Sequence, residues 1–312
     1  NNGPPDQIGP FKEDLDAGIR PETKTILCMG NHEFYGGSKP LWEKTFDVPG
    51  NSRSVVNGFH FIALSPEKGT MQNGDYRYAL DWLKRELDAA IADDPMKPIF
   101  LAQHYHIDGT VYGSIGRERW GVDDLCKLLE NYPTVVDFSG HSHFPINDPR
   151  SAWQGEYSAF GTGTLSYFEM EGGKYVKFPP GHRNAAQFYV VDVYDDNSVI
   201  LKPYDLISDS FYDIIYTIAE PGNISKYLYT DDRYDRAGKP SWSTGAKLEV
   251  KNLDAFGGTF VFPQAKDETV VHSYHFHFRR KEKGEWINDF EHDAWSNYFY
   301  RPMPETLEVP LY

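Results

Sequence analysis

The sequence predicts a layered, mixed α/β (α+β) domain followed by a β-sandwich module, on three observations. Apolar runs of strand length alternate with amphipathic helical patterns through the first part of the chain. Polar residues crowd directly behind three of those apolar runs. After about Leu206 the helical patterns mostly stop, and short β-like runs punctuated by Gly and Pro follow. We therefore expect one domain over residues 1–206 and a second, β-rich one over 207–312.

The first elements are predicted from local signals. Residues 1–10 are rich in Gly and Pro and predict a loop, and residues 11–18 have the pattern of a short helix. The apolar run at 24–29 predicts a buried strand. Residues 54–64 hold two β-rich runs around Asn57-Gly58, which is the strongest short hairpin signal in the chain.

The later elements continue the alternation and then change character. The patterns predict helices over 75–92 and 121–132, strands over 98–102 and 134–138, a hairpin over 187–206, and β-runs at 246–253 and 270–281.

Composition limits the partners that the protein can take. The net charge is −15, so duplex nucleic acid would be repelled, and a phosphate-bearing substrate would need concentrated local positive charge, such as a metal site. No apolar run approaches membrane-spanning length, and no signal-peptide pattern opens the chain. Cys28 and Cys126 are the only cysteines, and their apolar and helical surroundings predict buried thiols instead of a disulfide framework.

Histidines and an asparagine follow the three predicted strands at 24–29, 98–102 and 134–138. Ligands of layered α/β sheets bind outside the carboxyl ends of the strands, so these side chains should meet at one edge. Imidazole and carboxamide donors suit a divalent ion, whereas a lone histidine at a strand end is usually a hydrogen-bonded loop residue. Four such residues together favour a metal site: Asn31, His104, His141 and His143.

These motifs resemble those of the calcineurin-like metallophosphoesterase superfamily. The superfamily patterns GNH[DE], a lone His and GHxH read here as GNHE at 30–33, His104 and GHSH at 140–143, and the resemblance covers roughly residues 1–206. It implies a four-layer β-sandwich flanked by helices, with two metal ions between two facing sheets. Asn31, His104 and His141 would bind one ion and His143 the other. His32 would contact the phosphate or protonate the leaving oxygen.

The chain departs from the superfamily at its beginning. The motifs DxH and GDxx[DN], which supply three further ligands including a bridging aspartate, are absent. We expect that an N-terminal unit of at least ~30 residues is missing, the size of one βαβ unit. The loops at 104–114 and 140–151 resemble bacterial members that carry an extra C-terminal β-domain. That domain is predicted to be Ig- or fibronectin-III-like and truncated.

Further residues near these motifs are candidates for binding or orienting the substrate. Glu33 is expected to orient His32, although a solvated loop acid is an alternative. The loops after the ligand strands carry the substrate-binding candidates His106, Tyr112, Arg117, Arg119 and Arg150. For each arginine a surface ion pair is the competing interpretation, and for His106 it is a structural hydrogen bond.

Together these observations favour a metal-dependent phosphoesterase acting on a small phosphomonoester or phosphodiester through a two-metal-activated water. The ions could be Mn, Fe or Zn, because Asn and His sites accept all three. The alternative is a catalytically impaired fragment or pseudoenzyme whose β-module contacts a glycan or a protein through Trp242, Trp286 and Trp295. A one-metal hydrolase is a third reading. Analogy with proteins that carry such modules favours secretion or the cell envelope.

Overall fold

The computed structural model describes residues 5–36, 39–70, 74–116, 120–172 and 176–311. The α-helices in these ranges are α1 Pro5–Gly18, α2 Glu33–Gly36, α3 Lys39–Phe46, α4 Leu80–Asp93 and α5 Cys126–Leu129. The strands up to the second sheet are β1 Ser52–Val56, β2 Phe59–Ala63, β3 Ile99–Ala102, β4 His106–Ile107, β5 Gly121–Val122, β6 Val135–Ser139, β7 Ala152–Gln154 and β8 Ser158–Gly161. The remaining strands are β9 Gln187–Val193, β10 Val199–Asp205, β11 Ser210–Phe211, β12 Tyr216–Ile218, β13 Glu249–Lys251, β14 Gly258–Pro263, β15 Ser273–Glu282, β16 Glu285–Trp295 and β17 Thr306–Leu311.

A six-stranded sheet with the order β1-β2-β3-β6-β8-β7 forms the centre of the first domain. Its four middle strands are parallel, and the edge strands β1 and β7 are antiparallel to their neighbours. The β1–β2 hairpin turns at Asn57 and Gly58, both with positive φ, as the Asn-Gly signal predicts. Since β3, β6 and β8 are parallel, their carboxyl ends lie at one edge, and the loops that follow them meet there.

A second, antiparallel sheet of β9 to β12 packs against one face of the first sheet. Phe100, Val136 and Phe160 of the first sheet form a core with Leu201 and Tyr216 of the second. On the other face of the first sheet, apolar side chains of α4 and α5 cover β3 and β6. This arrangement of helices flanking packed sheets confirms the predicted mixed α/β class. The second sheet continues to Ile218, past residue 206, where the sequence places a domain boundary.

The predicted strand at 24–29 does not form. Residues 23–30 lack a strand ladder. The amide of Met29 donates to Ser65 Oγ at 3.0 Å, and the amide of Gly30 donates to Glu33 Oε2 at 2.7 Å. Side chains therefore satisfy backbone groups that a neighbouring strand would otherwise bind. The apolar character of the segment is explained by packing, because Met29 is buried against α1 and α3.

Two other local predictions are corrected by tertiary contacts. Residues 5–10, predicted as a loop, belong to α1, because Ile8 is buried in the core that α1 forms with α3. The helix predicted over 121–132 shortens to α5, since its first residues form β5 and pair with β4. In both cases burial or pairing with a distant segment outweighs local propensity.

The C-terminal module consists of additional antiparallel strands. A three-stranded sheet in the order β13-β14-β17 packs against the β15–β16 hairpin, with Phe262, Tyr274 and Val309 in the shared core. The module also contacts the first domain, where Trp295 and Phe299 pack in a cluster with residues of the segment that precedes β9. Among the described residues, none of the helices has the length and apolar character to cross a membrane.

A buried carboxyl group lies in β6, the middle of the first sheet. Both oxygens of Asp137 accept from Gln103 Nε2, at 3.3 Å each, and Gln103 Oε1 accepts from Tyr76 Oη at 3.1 Å. Burial raises the pKa of Asp137 from 3.8 to about 8, and the hydrogen bonds from Gln103 offset only part of this effect. In the folded protein the carboxyl group of Asp137 is therefore mostly protonated below about pH 8.

This carboxyl group predicts a pH dependence of stability. As pH rises from 3.8 to about 8, the unfolded chain ionises Asp137 while the folded chain keeps it protonated, so the free energy of unfolding should fall. Asp137→Asn removes that ionisation and keeps an acceptor for Gln103. The variant should therefore be more stable than the wild type by on the order of 3 kcal/mol near the upper end of this range.

Urea denaturation of both proteins across that pH range measures the effect. The difference between the two curves removes the contribution of the other titrating groups, which the proteins share. A difference that does not change with pH would contradict the assignment.

Candidate metal centre

Three polar side chains converge at the edge where β3 and β6 end. Asn31 Oδ1 lies 2.8 Å from His104 Nε2, and His104 Nε2 lies 2.9 Å from His141 Nδ1. Asn31 and His141 are buried. One carboxamide oxygen and two imidazole nitrogens thus meet at a single point, as ligands of one divalent ion would.

Backbone contacts hold the two histidine-bearing loops together. The carbonyl oxygen of His104 accepts from the amides of Gly140 and His141, at 3.0 Å each. These bonds fix the loop after β3 against the loop after β6. Gly30 approaches from the third segment, and a Cβ atom placed there would lie 2.7 Å from two atoms of the His104 ring. The absence of a side chain at Gly30 therefore permits the cluster to close.

A short turn orients Asn31 and His32. Asn31 Nδ2 donates to Tyr35 Oη at 2.8 Å, which leaves the carboxamide oxygen facing His104. The carboxylate of Glu33 accepts from the amide of Gly30 at 2.7 Å and so ties the start of the α2 turn to the residue before Asn31. The expected orientation of His32 by Glu33 stays a prediction.

His143 lies beside this cluster in an unusual conformation. Its φ of 59° is in the left-handed region, and its amide donates to Gly140 O at 3.2 Å, so residues 140–143 form a turn. The spacing of two residues between His141 and His143 predicts side chains that point the same way in extended backbone, and this prediction is wrong because residues 140–143 form a turn. Within the described part of the chain, His143 Nδ1 is buried without a hydrogen-bond partner. A buried nitrogen of this kind is available to a ligand.

The electrostatics favour neutral imidazoles at this edge. Burial, together with neighbouring histidines, lowers the pKa of His104 well below its usual range. The same two causes lower the pKa of His143 to about 4. A neutral imidazole keeps the lone pair that a metal ion needs, and a cluster of imidazoles that resists protonation suits metal binding.

The candidate residues open onto a cleft with a volume of about 360 Å³. Its walls include Asn31, His32, His104 and His143. They also include the loop at 163–166, which follows β8 at the same edge of the sheet. From the sequence alone, the run at 161–167 is interpreted as a turn and not as a glycine loop near a phosphate, because it matches no P-loop pattern. A strand predicted over SAFG would have placed this run beside the loop after β6.

Several substrate-binding candidates lie elsewhere. His106 is buried, and its ring nitrogens contact Ser139 Oγ at 2.8 Å and Ser142 Oγ at 2.7 Å, which is the structural alternative. Tyr112 is buried, with the guanidinium of Arg150 3.6 Å from its ring centroid. Neither Tyr112 nor Arg150 is among the residues that line the cleft. Arg117 and Arg119 lie outside the described residues.

The donor set was tested against the divalent ions that the motifs imply. The convergent trio and the unpartnered His143 nitrogen fit ligation through neutral donors. Within the described ranges, however, no group of three or more His, Cys, Asp or Glu side chains is arranged to hold an ion. Asn31, His104 and His141, the trio, fit one ion because the carboxamide oxygen of Asn31 supplies the third donor.

Gly30→Ala should disrupt the cluster. The new methyl group would have to displace the His104 ring or the backbone before Asn31, so we expect metal affinity and hydrolysis to fall by about tenfold to a hundredfold. Titration with Mn²⁺ followed by a phosphoesterase assay measures both quantities. Gly9→Ala is the matched control, because a Cβ at Gly9 in α1 meets no atom within 4 Å. Wild-type metal affinity in Gly30→Ala would contradict the expected steric conflict.

One family model matches the first part of the chain. The family model described as calcineurin-like phosphoesterase matches residues 2–145, a segment that contains all four proposed metal ligands. No curated protein matches the sequence. Residues 2–145 are thus similar to calcineurin-like phosphoesterases, which are metal-dependent enzymes.

Proposed function

We propose that the protein hydrolyses a small phosphomonoester or phosphodiester with two divalent ions, Mn, Fe or Zn, bound in the cleft. One observation carries the proposal. His104 Nε2 lies 2.8 Å from Asn31 Oδ1 and 2.9 Å from His141 Nδ1, and His32 and His143 line the same cleft as His104. These neutral donors come from three separate segments of the chain.

Each residue has a distinct part in the proposed reaction. When bound, the ions supply positive charge to the phosphoryl oxygens and lower the pKa of the attacking water. Asn31, His104 and His141 would hold one ion and His143 the other. Tyr35 fixes the carboxamide of Asn31. His32 lines the same cleft and would donate a hydrogen bond to a phosphoryl oxygen or a proton to the leaving oxygen.

Bound divalent ions would also supply the local positive charge that a phosphate ester needs in order to bind to this acidic protein. A chain with a net charge of −15 repels phosphate esters at most of its surface. Neutral histidines that admit divalent cations turn the cleft into a site of opposite sign. Substrate binding is then expected to depend on the loaded ions and to be weak without them.

A catalytically impaired protein is the second candidate, and a specific observation favours it. The trio contains no carboxylate, and its donors alone do not make a two-ion site. In that case the C-terminal module would carry the function by contacting a glycan or a protein. Trp242 and Trp286 are more than half exposed and could take part, whereas Trp295 is buried.

Elemental analysis and a hydrolysis assay on the same preparation decide between the two. The proposal expects two ions per chain after incubation with Mn²⁺ or Zn²⁺, and cleavage of an aryl phosphate monoester or diester that chelation abolishes and Mn²⁺ restores. Absence of bound metal together with absence of hydrolysis would overturn it in favour of the impaired protein. One ion per chain with hydrolysis retained would support the one-metal hydrolase instead.

A further inference from the structure

Beside His143, aromatic rings extend from the cleft to the surface. Tyr167, Phe178 and His182 form this aromatic rim, and Arg183 lies next to it. We propose that the aromatic rim binds a planar aromatic group in the organic part of the phosphoester, as in a nucleoside phosphate. The proposal rests on the proposed function, because it assigns a substrate class to the same cleft.

The rim begins directly at a proposed metal ligand. The ring centroid of Tyr167 lies 4.6 Å from that of His143. Thr164 Oγ1 accepts from the amide of Ser166 at 3.1 Å and from the amide of Tyr167 at 3.3 Å. This turn belongs to the cleft-lining loop at 163–166 and fixes the position of the Tyr167 backbone. An organic group attached to a phosphoryl at His143 would therefore lie close to the Tyr167 ring.

The rim continues outward through a ring that the protein leaves exposed. The Phe178 centroid lies 6.2 Å from that of Tyr167 and 5.5 Å from that of His182. Phe178 is 46% exposed, so part of its ring faces the solvent. His182 is held in place, since its Nδ1 lies 3.2 Å from Pro179 O. The part of the Phe178 ring that faces the solvent is available for stacking.

Positive charge accompanies the rings. The Arg183 guanidinium lies 5.9 Å from the Tyr167 centroid, and the Lys177 ammonium lies 5.9 Å from the Phe178 centroid. Lys177 also pairs with Glu169 at 2.5 Å. Because Glu169 compensates the charge of Lys177, Arg183 is the cation of the rim that is complementary to an anionic ester in this chain of net charge −15. A nucleobase has the flat π-face that stacks on aromatic side chains and guanidinium groups.

Two matched ligands isolate the contribution of the aromatic group. AMP and ribose 5-phosphate share the phosphate and the leaving alcohol and differ only in the base. In their methylene phosphonate isosteres a CH₂ group replaces the ester oxygen, so binding can be measured without turnover. Calorimetric titration of the Mn²⁺-loaded protein with each isostere gives the two dissociation constants, and hydrolysis of AMP and ribose 5-phosphate is measured in parallel.

We expect the AMP isostere to bind at least about tenfold more tightly than the ribose isostere. Phe178→Ala should remove most of that preference and leave the affinity for the ribose isostere unchanged. Phe256→Ala is the control, because Phe256 is 85% exposed in the C-terminal module and should change neither affinity. Equal affinity of the wild type for both isosteres would overturn the aromatic site, as would a Phe178→Ala effect of the same size on both.

The outcomes separate this inference from the proposed function. Hydrolysis of both esters with no preference for the base would overturn the aromatic site alone. A base preference in binding that depends on Phe178, without hydrolysis of either ester, would support the aromatic site and overturn the proposed hydrolysis. If neither isostere binds and neither ester is cleaved, both proposals fail.

Discussion

His141→Ala is expected to abolish phosphoester hydrolysis while leaving the protein folded. His141 Nδ1 lies 2.9 Å from His104 Nε2 and supplies one of the three donors that meet at this edge of the sheet. Without it, two donors remain, and the ion should be lost or misplaced. Stabilisation of a phosphoryl transition state by a metal ion contributes several kcal/mol, so kcat/KM should fall by about a thousandfold.

Measurement of metal content and of kcat/KM on the same sample tests this expectation. The metal per chain should fall together with the rate, which separates loss of a ligand from loss of an unrelated hydrogen bond. His277→Ala is the matched control, since His277 is exposed on β15 in the C-terminal module.

A second variant is needed because the His141 imidazole also packs against neighbouring aromatic rings. The imidazole lies 4.5 Å from the Tyr105 ring and 5.7 Å from the Trp120 ring, measured between centroids, so its removal leaves a small gap. His141→Gln keeps more of the side-chain volume and should also lose the reaction. A folded His141→Ala or His141→Gln protein that hydrolyses at the wild-type rate would remove His141 from the site.

Arg150→Ala is expected to destabilise the fold by roughly 3 kcal/mol, because it leaves a buried carboxylate without its cation. Arg150 Nη2 lies 2.8 Å from Asp148 Oδ2, and Nη1 lies 3.1 Å from Glu171 Oε2. Asp148 is buried and also accepts from Tyr298 Oη at 2.5 Å. Burial would raise the pKa of Asp148, but the charge and hydrogen bonds of Arg150 hold it below its usual range.

The same cluster joins the two parts of the protein. Tyr298 belongs to the C-terminal module, and His272 of the module lies 3.3 Å from Glu171. Loss of Arg150 should therefore weaken the attachment of the module as well as the first domain.

Urea denaturation of three variants measures this effect. Arg150→Lys should recover only part of the stability, since an ammonium group cannot reproduce the forked contact with the carboxylate. Arg150→Met combined with Asp148→Asn removes both charges and should be more stable than Arg150→Ala. Arg280→Ala, at an exposed arginine that lies 3.5 Å from Glu282, should change stability by less than about 1 kcal/mol.

A kinetic readout distinguishes this structural role from the substrate role predicted from sequence. If Arg150→Ala kept wild-type stability and raised KM for a phosphate ester, the arginine would bind substrate after all. Unchanged KM with reduced stability supports the buried ion pair.

The sequence alone correctly predicted the features that depend on a local signal or on the order of the strands. Asn57-Gly58 specifies its hairpin because both residues tolerate positive φ. His104 and His141 could be placed together because they follow neighbouring parallel strands, whose carboxyl ends share one edge. The motifs GNHE, His104 and GHSH indicated a resemblance to calcineurin-like phosphoesterases, and the family model that matches residues 2–145 agrees with that resemblance.

Only the tertiary structure decided the features that depend on partners far away in the chain. Residues 24–29 have a strand pattern, yet their backbone lacks a neighbouring strand, and the amide of Met29 bonds to Ser65 instead. Arg150 follows a ligand loop like a substrate residue, but Glu171 and the Asp148–Tyr298 pair engage it in a buried cluster. The 163–166 loop forms a wall of the cleft because β8 lies beside β6. The local sequence determines which hydrogen bonds and ion pairs a segment is able to form. The tertiary structure determines which of these form, because strand pairing and charge compensation require that the partner groups be in contact.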